Sequence, residues 1–161
     1  MMKEILAIFF GLLVLLNCAS NKNKLIINQE DVSRHIATIK DKKEICIVDL
    51  SGQIINQIKM DGSEIYSLTW SPNGTILAFL QSEDEEIYLY IYDVLKDQNQ
   101  KLCKLSLDYL DLKNIPKLKW MKDNDQLYFS DEQGLNIVNL KGEKSTLYNL
   151  KGIENFNISD Q

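Results

Sequence analysis

Two stretches 50 residues apart carry the same pattern. Residues 68–79 read LTWSPNGTILAF and residues 118–129 read LKWMKDNDQLYF, so that Trp70 falls on Trp120 and Phe79 on Phe129. A shorter pattern recurs three times: IVDL at 47–50, IYDV at 91–94 and IVNL at 137–140, which sets Asp49, Asp93 and Asn139 at intervals of 44 and 46 residues. Ser51-Gly52 and Lys141-Gly142 then form equivalent turns. A fixed period of this size is the mark of repeated structural units, each too small to bury its own apolar face and obliged to stack on its neighbours.

Within each copy, Ile, Leu, Val and Tyr alternate with polar residues, and Gly, Asn, Asp and Ser bound the runs, as in half-buried strands. Residues 65–70 alternate, and in residues 87–92 Tyr88, Tyr90 and Tyr92 fall on one face. No window of helical length keeps an apolar period of 3.6 residues. Asn73-Gly74 predicts a tight hairpin of the type that needs positive φ at both central residues. The period suits one four-stranded sheet per repeat, the unit of a β-propeller. The expectation is an all-β fold of about three four-stranded antiparallel propeller-type blades after an N-terminal signal helix. The second blade spans about 64–108 and the third about 115–150. The first keeps only later strands, at 36–39, 44–50 and 53–60.

The second unit resembles the TolB-type, WD40-like propeller repeat, whose core reads W/F-S-P-D-G-x-x-I/L-A-F followed by an I-Y-x-x-D strand. Trp70, Ser71, Pro72, Gly74, Phe79 and Asp93 match it, and Asn73 stands where the family has Asp. The third unit keeps Trp120 and Phe129 but has lost Ser-Pro and Gly. These residues are expected to be structural, the two tryptophans packing between blades. The resemblance implies a ring face that docks partner proteins. Propellers of this type also gate the catalytic domain of prolyl-oligopeptidase-like hydrolases.

At the start of the chain, residues 5–16 form twelve uncharged, apolar positions. Crossing a bilayer as a helix takes roughly 20, whereas twelve suits the apolar region of a secretory signal. Leu15-Leu16-Asn17-Cys18-Ala19-Ser20 follows, and resembles the lipobox of bacterial lipoproteins, with Asn17 where Gly, Ala or Ser is usual. The resemblance implies cleavage before Cys18 and acyl chains on Cys18. Each buried CH₂ contributes about 0.8 kcal/mol, so several chains together hold a protein on a membrane. The implied organisation is a signal peptide over 1–17, a lipidated Cys18 and polar tether over 18–34, and a partial propeller over 35–161. Ala19 after the Cys implies the outer membrane of a bacterial envelope, facing the periplasm.

Composition narrows the chemistry. A net charge of −5 argues against nucleic acid as a partner, since phosphate-backbone binders concentrate Lys and Arg on one face. A single histidine, His35, makes a Ser-His-Asp triad or a His-rich metal site hard to build, and it is expected to be a surface or satisfied residue. Cys46 and Cys103 lie in strands of different units and are expected as isolated thiols. Residues 82–86, SEDEE, lack the spacing of a Ca²⁺ loop and read as a solvated hairpin tip. No G-x-S-x-G, P-loop or H-E-x-x-H is present. The expectation is therefore no cofactor, no metal and no catalytic residue. Residues 155–160 align with 67–72 as the first strand of a further blade. An incomplete propeller would leave terminal sheets with exposed apolar faces, open to self-association. The favoured function is a non-catalytic protein-binding scaffold in the envelope. A truncated fragment without independent function and an accessory propeller of a hydrolase are the alternatives.

Overall fold

Residues with period-two alternation gain by pairing into sheets only if both resulting faces are then covered. The computed structural model describes residues 35–60, 64–107, 115–123 and 125–149, and among these every regular element is a strand. The segments expected as signal peptide and tether, with Cys18, and residues 155–160 lie outside the described residues.

The first sheet contains β1 (Ile36–Lys40), β2 (Glu44–Val48) and β3 (Ile54–Lys59) in the order β1-β2-β3. The second contains β4 (Ile65–Trp70), β5 (Ile76–Glu83), β6 (Glu86–Asp93) and β7 (Gln98–Leu105) in the order β4-β5-β6-β7. The third contains β8 (Lys119–Trp120), β9 (Gln126–Asp131), β10 (Gly134–Asn139) and β11 (Lys144–Tyr148), again as a simple meander. All pairings are antiparallel. The repeat period is thus one meandering sheet, and the first sheet has three strands, the counterparts of the last three in the other two.

The sheets stack face to face through two apolar seams. Ile45, Ile47, Ala37 and Ile39 of the first sheet meet Leu77, Phe79, Tyr90 and Tyr92 of the second. The opposite face of the second sheet, with Ala78, Leu80, Leu89 and Ile91, meets Trp120, Leu127, Phe129 and Val138 of the third. The odd-even alternation of β5 therefore places Leu77 and Phe79 in one seam and Ala78 and Leu80 in the other, all fully buried.

The turns explain the recurring Asp and Asn. Asp49 Oδ1 accepts from the backbone N–H of Ser51 at 2.8 Å and of Gln53 at 3.0 Å. Asn139 Oδ1 accepts in the same way from Lys141 at 2.9 Å and Glu143 at 3.0 Å. Asp93 Oδ1 holds Leu95 and Lys96. These side chains replace ladder partners where β2 turns into β3, β6 into β7 and β10 into β11. Gly52 and Gly142 both sit at φ +85°, and a Cβ on Gly142 would lie 2.5 Å from the Leu102 carbonyl oxygen of the neighbouring sheet. Glycine is needed there for conformation and for approach.

Asn73-Gly74 does not form the expected two-residue hairpin turn. Gly74 is at φ +71°, but Asn73 is not in the left-handed region. Gly74 N–H donates to Ser71 O at 2.8 Å, and Asn73 Oδ1 accepts from the Ser71 hydroxyl and from Thr75 N–H and Oγ1. Pro72 and Asn73 are the central residues of a wider connection, because β4 and β5 pair first at Trp70 and Leu77. The tight turns with two left-handed residues fall instead at Asp41-Lys42, with φ 51° and 57°, and at Asp84-Glu85, with φ 48° and 66°. There the strands pair right up to the turn, at Lys40–Glu44 and at Glu83–Glu86.

Phe129 is fully buried in the seam between the second and third sheets. Phe129→Ala is expected to cost about 3–5 kcal/mol. Urea denaturation followed by Trp fluorescence should record it as a lower midpoint.

Candidate interaction surface

The polar groups among the described residues are largely spent on holding sheets together. Asp131, whose side chain has no exposure, accepts from Gln133 N–H at 2.9 Å, Asn136 Nδ2 at 2.8 Å and Ser106 N–H at 3.2 Å, and pairs with Lys144 Nζ at 2.8 Å. Asn136, itself fully buried, also donates to Gly134 O and accepts from Thr146. Lys144 Nζ lies 5.4 Å from the Phe129 ring centroid. A buried carboxylate with this many donors is compensated, and loss of the Lys144 charge would remove the counter-ion that offsets its desolvation. Ser106 follows β7, so the network also ties the second sheet to the third.

Tyr88, Tyr90 and Tyr92 do share one face, but it is the seam with the first sheet. Their hydroxyls are engaged as well: Tyr92 donates to Asp97 and accepts from Asn56 at 3.0 Å, Tyr90 donates to Glu83, and Tyr88 donates to Glu86 at 2.7 Å. Lys101 pairs with Glu83 and sits 4.0 Å from the Tyr88 ring centroid, while Lys104 pairs with Glu86. Burial, and then the Asp97 carboxylate, push the Tyr92 phenol up to about 12. The Lys101 and Tyr90 hydrogen bonds hold Glu83 below its ordinary range. Of the acidic hairpin, then, Glu83 and Glu86 are anchors of the sheet and only the tip residues Asp84 and Glu85 are fully solvated. Among the described residues no three His, Cys, Asp or Glu side chains gather as a metal site would require.

The repeat-signature residues are all placed structurally. Ser71 Oγ accepts from Ile76 N–H at 2.9 Å, and Pro72 and Asn73 are exposed at the turn. Trp120 is buried and donates from Nε1 to the Thr69 carbonyl of β4 at 3.2 Å, a direct bond across the seam. Trp70, its counterpart, packs against the first seam, but its Nε1 is buried without a hydrogen-bond partner. Phe79 stacks on Tyr90 with centroids 5.7 Å apart. Cys46 and Cys103 are both free. His35 departs from expectation: its Nδ1 is buried and has no partner.

The sequence reading expected exposed apolar faces on the terminal sheets but did not name the residues that form them. Ile36, Val48 and Ile54 form a row across the first sheet, on the face turned away from the second. Ile36 is 53% exposed and Ile54 50%, and Leu50 just beyond them is 72% exposed. By register from Asp49, Asp93 and Asn139, this row corresponds to Leu77–Tyr92 and Leu127–Val138, which are buried under the preceding sheet. At the other end of the stack, Tyr128, Leu135 and Ile137 are half-buried, with Tyr148 beside Leu135 63% exposed. The signal was present in the triplet Ile47, Ile91, Ile137, one seam position written three times.

Compared with known proteins, residues 33–123, more than half of the chain, match the family described as the anaphase-promoting complex subunit 4 WD40 domain. Among solved structures, the chain is similar to TolB from Acinetobacter baumannii, with a TM-score of 0.59 and 17% identity over 76% of this chain and 32% of that one. It is also similar to a chain of the nidogen/laminin complex, with a TM-score of 0.52 and 8% identity over 71% of this chain and 44% of that one. No curated protein matches significantly. The chain therefore spans about a third of the TolB chain's length. These likenesses establish a propeller-type fold.

Burial raises the Cys103 thiol from 9.0 to about 11, with Lys144 opposing and Asp131 adding to the shift. Because the folded state holds this proton more tightly than the unfolded chain, the contribution is whole below pH 9.0 and is lost as pH rises toward 11. The unfolding free energy read from urea denaturation is expected to fall over that window, by up to about 2 kcal/mol. Cys103→Ala should flatten the fall at the lower end of the window, before the tyrosines titrate.

Proposed function

The chain belongs to the family of the anaphase-promoting complex subunit 4 WD40 domain, and from that premise we propose that it is a lipid-anchored envelope protein whose propeller-type sheets serve as a non-catalytic docking scaffold. The family's namesake is a subunit of a larger complex, which fits a role in holding proteins together. The observation that carries the scaffold reading is the division of labour on this chain. Acidic, basic and phenolic groups such as Asp131, Glu83, Lys101 and Tyr92 are committed to turns and seams, while Leu50, Leu95, Ile36, Ile54 and Tyr148 stand exposed. Apolar side chains on a rigid sheet scaffold suit protein contacts.

The anchor rests on the sequence. Residues 5–16 supply the apolar region of an export signal, and Leu15 through Ser20 supply the lipobox, so Cys18 carries the acyl chains. The tether over 18–34 then sets the sheets off the membrane surface, in the periplasm at the outer membrane. Partners are envelope proteins met within reach of that tether.

Metabolic labelling with a palmitate analogue tests the anchor. The wild type is expected to carry label and to sediment with membranes, and Cys18→Ala to lose both; a variant that stays in the membrane fraction would overturn the anchor. Docking is tested separately, with a photo-crosslinking residue at Leu95, which is 44% exposed. Adducts to an envelope protein are expected in cells, and adducts to lipid alone would count against the scaffold.

A further inference from the structure

We propose that Asn73 is a spontaneous deamidation site, its side-chain amide converted to a carboxylate through attack by the Gly74 nitrogen, and that the turn between β4 and β5 governs the reaction by keeping that nitrogen masked. The reading is independent of the lipid anchor and of any envelope partner.

The chemistry needs two groups side by side. The backbone nitrogen of the residue after an asparagine, once deprotonated, attacks the side-chain Cγ. The new N–Cγ bond closes a cyclic imide as the Cγ–Nδ2 bond breaks and ammonia leaves. Water then opens the imide. Breaking N–Cγ gives aspartate, and breaking the bond from the same nitrogen to the main-chain carbonyl carbon of residue 73 gives isoaspartate. The net change is amide plus water to carboxylic acid plus ammonia, with no oxidant or reductant. A side chain on the following residue obstructs the attack, so glycine, which has no Cβ, is the permissive neighbour. Asn73-Gly74 is the one Asn-Gly pair in the chain.

The turn sets the two reacting groups in opposite states. Thr75 N–H donates to Asn73 Oδ1 at 3.1 Å, and the Ser71 and Thr75 hydroxyls donate to the same oxygen at 2.8 and 2.9 Å. A backbone N–H only donates, which fixes the oxygen on this side of Cγ and the leaving nitrogen Nδ2 on the other. Oδ1 gains negative charge when Cγ is attacked, so these donors sit where an oxyanion would form. The nucleophile, by contrast, is withheld. Gly74 N–H donates to Ser71 O at 2.8 Å, and Gly74 is buried although Asn73 beside it is exposed. An N–H so engaged and shielded from hydroxide keeps its proton until the bond opens. Deprotonation precedes attack, so the withheld nitrogen decides the rate and the prepared carbonyl does not.

The third sheet shows which product the fold accepts. Asp123 lies 50 residues after Asn73, at the equivalent place between β8 and β9. The connection there closes with Met121 N–H on the Gln126 carbonyl at 2.9 Å, as the second sheet closes with Ser71 N–H on Ile76 O at 2.8 Å. A carboxylate at residue 73 would keep the donors from Ser71 and Thr75 and hold them more tightly, because charged acceptors make the stronger bonds. Isoaspartate instead lengthens the main chain by a carbon just before Gly74, which draws Gly74 N–H away from Ser71 O.

The test follows residue 73 in the full-length chain, in mild detergent at mildly alkaline pH, by peptide mapping with mass spectrometry and by enzymatic methylation of isoaspartate. In native buffer the wild type is expected to lose the amide at least about tenfold more slowly than in guanidinium chloride above its unfolding midpoint. Thr75→Ala loosens the turn that seats the Gly74 bond, and is expected to speed the native reaction severalfold while leaving the unfolded rate unchanged. Asn73→Asp, one of the two products made directly, is expected to unfold at a urea midpoint no lower than wild type. The wild-type comparison requires no variant to fold. Equal rates in the folded and unfolded wild type, a folded Thr75→Ala protein that reacts no faster than wild type, or a lowered midpoint for Asn73→Asp would each overturn the proposal.

Discussion

A β-sheet whose two faces are both apolar cannot exist alone in water, and this one constraint organises the molecule. The two central strands of the second sheet, β5 and β6, are written for two neighbours at once. In β5, Leu77 and Phe79 face the first sheet while Ala78 and Leu80 face the third, and all four are fully buried. Burial of such side chains contributes about 1.5–3 kcal/mol each, which is why the seams, and not the individual hairpins, hold the fold. The outer sheets obey the same pattern, and the surface left open at each end of the stack follows from it.

Polar groups are subordinate to the seams. The Asp131, Asn136 and Lys144 network lies where β9 turns into β10 and binds the connector after β7. Tyr92 reaches Asn56 across the first seam, and Trp120 reaches Thr69 across the second. Each of these bonds fixes how one sheet sits on the next, something that apolar contact alone leaves loosely specified. The exposed apolar residues are the natural sites for anything the protein meets, because so much of its hydrogen-bonding capacity is used internally.

Much of the fold was legible because repetition amplifies weak signals. Trp70 and Trp120, Phe79 and Phe129, and the Asp49, Asp93, Asn139 series located the sheets, their turns and the strand that precedes each turn. The tight turns were harder to read. Asn73-Gly74 carries the residues of a two-residue hairpin, yet the strands around it pair too far away to need one. Asp84-Glu85 and Asp41-Lys42 adopt left-handed backbone without any glycine, because the pairing on either side leaves only two and three residues, respectively, to reverse the chain. Tertiary register overrode local preference at all three places. The same is true of Tyr88, Tyr90 and Tyr92: their shared face was plain, but which sheet would cover it was not.

The sequence by itself determined the strand period, the number of sheet units and the residues that pack in the seams, since these depend on alternation and on recurrence along the chain. It also carries, up to residue 20, an apolar run and a Cys-containing stretch that resembles a lipobox, which is a local pattern. Only the tertiary structure decided which seam positions are covered. Ile47, Ile91 and Ile137 are the same residue in the same register, and they differ in burial: a neighbouring sheet covers the first two, and no further sheet lies beyond the half-buried third among the described residues. Trp70 and Trp120 differ in the same way, one with an acceptor across the seam and one without. Residue type fixes what a side chain needs; the arrangement of sheets decides whether that need is met within one chain.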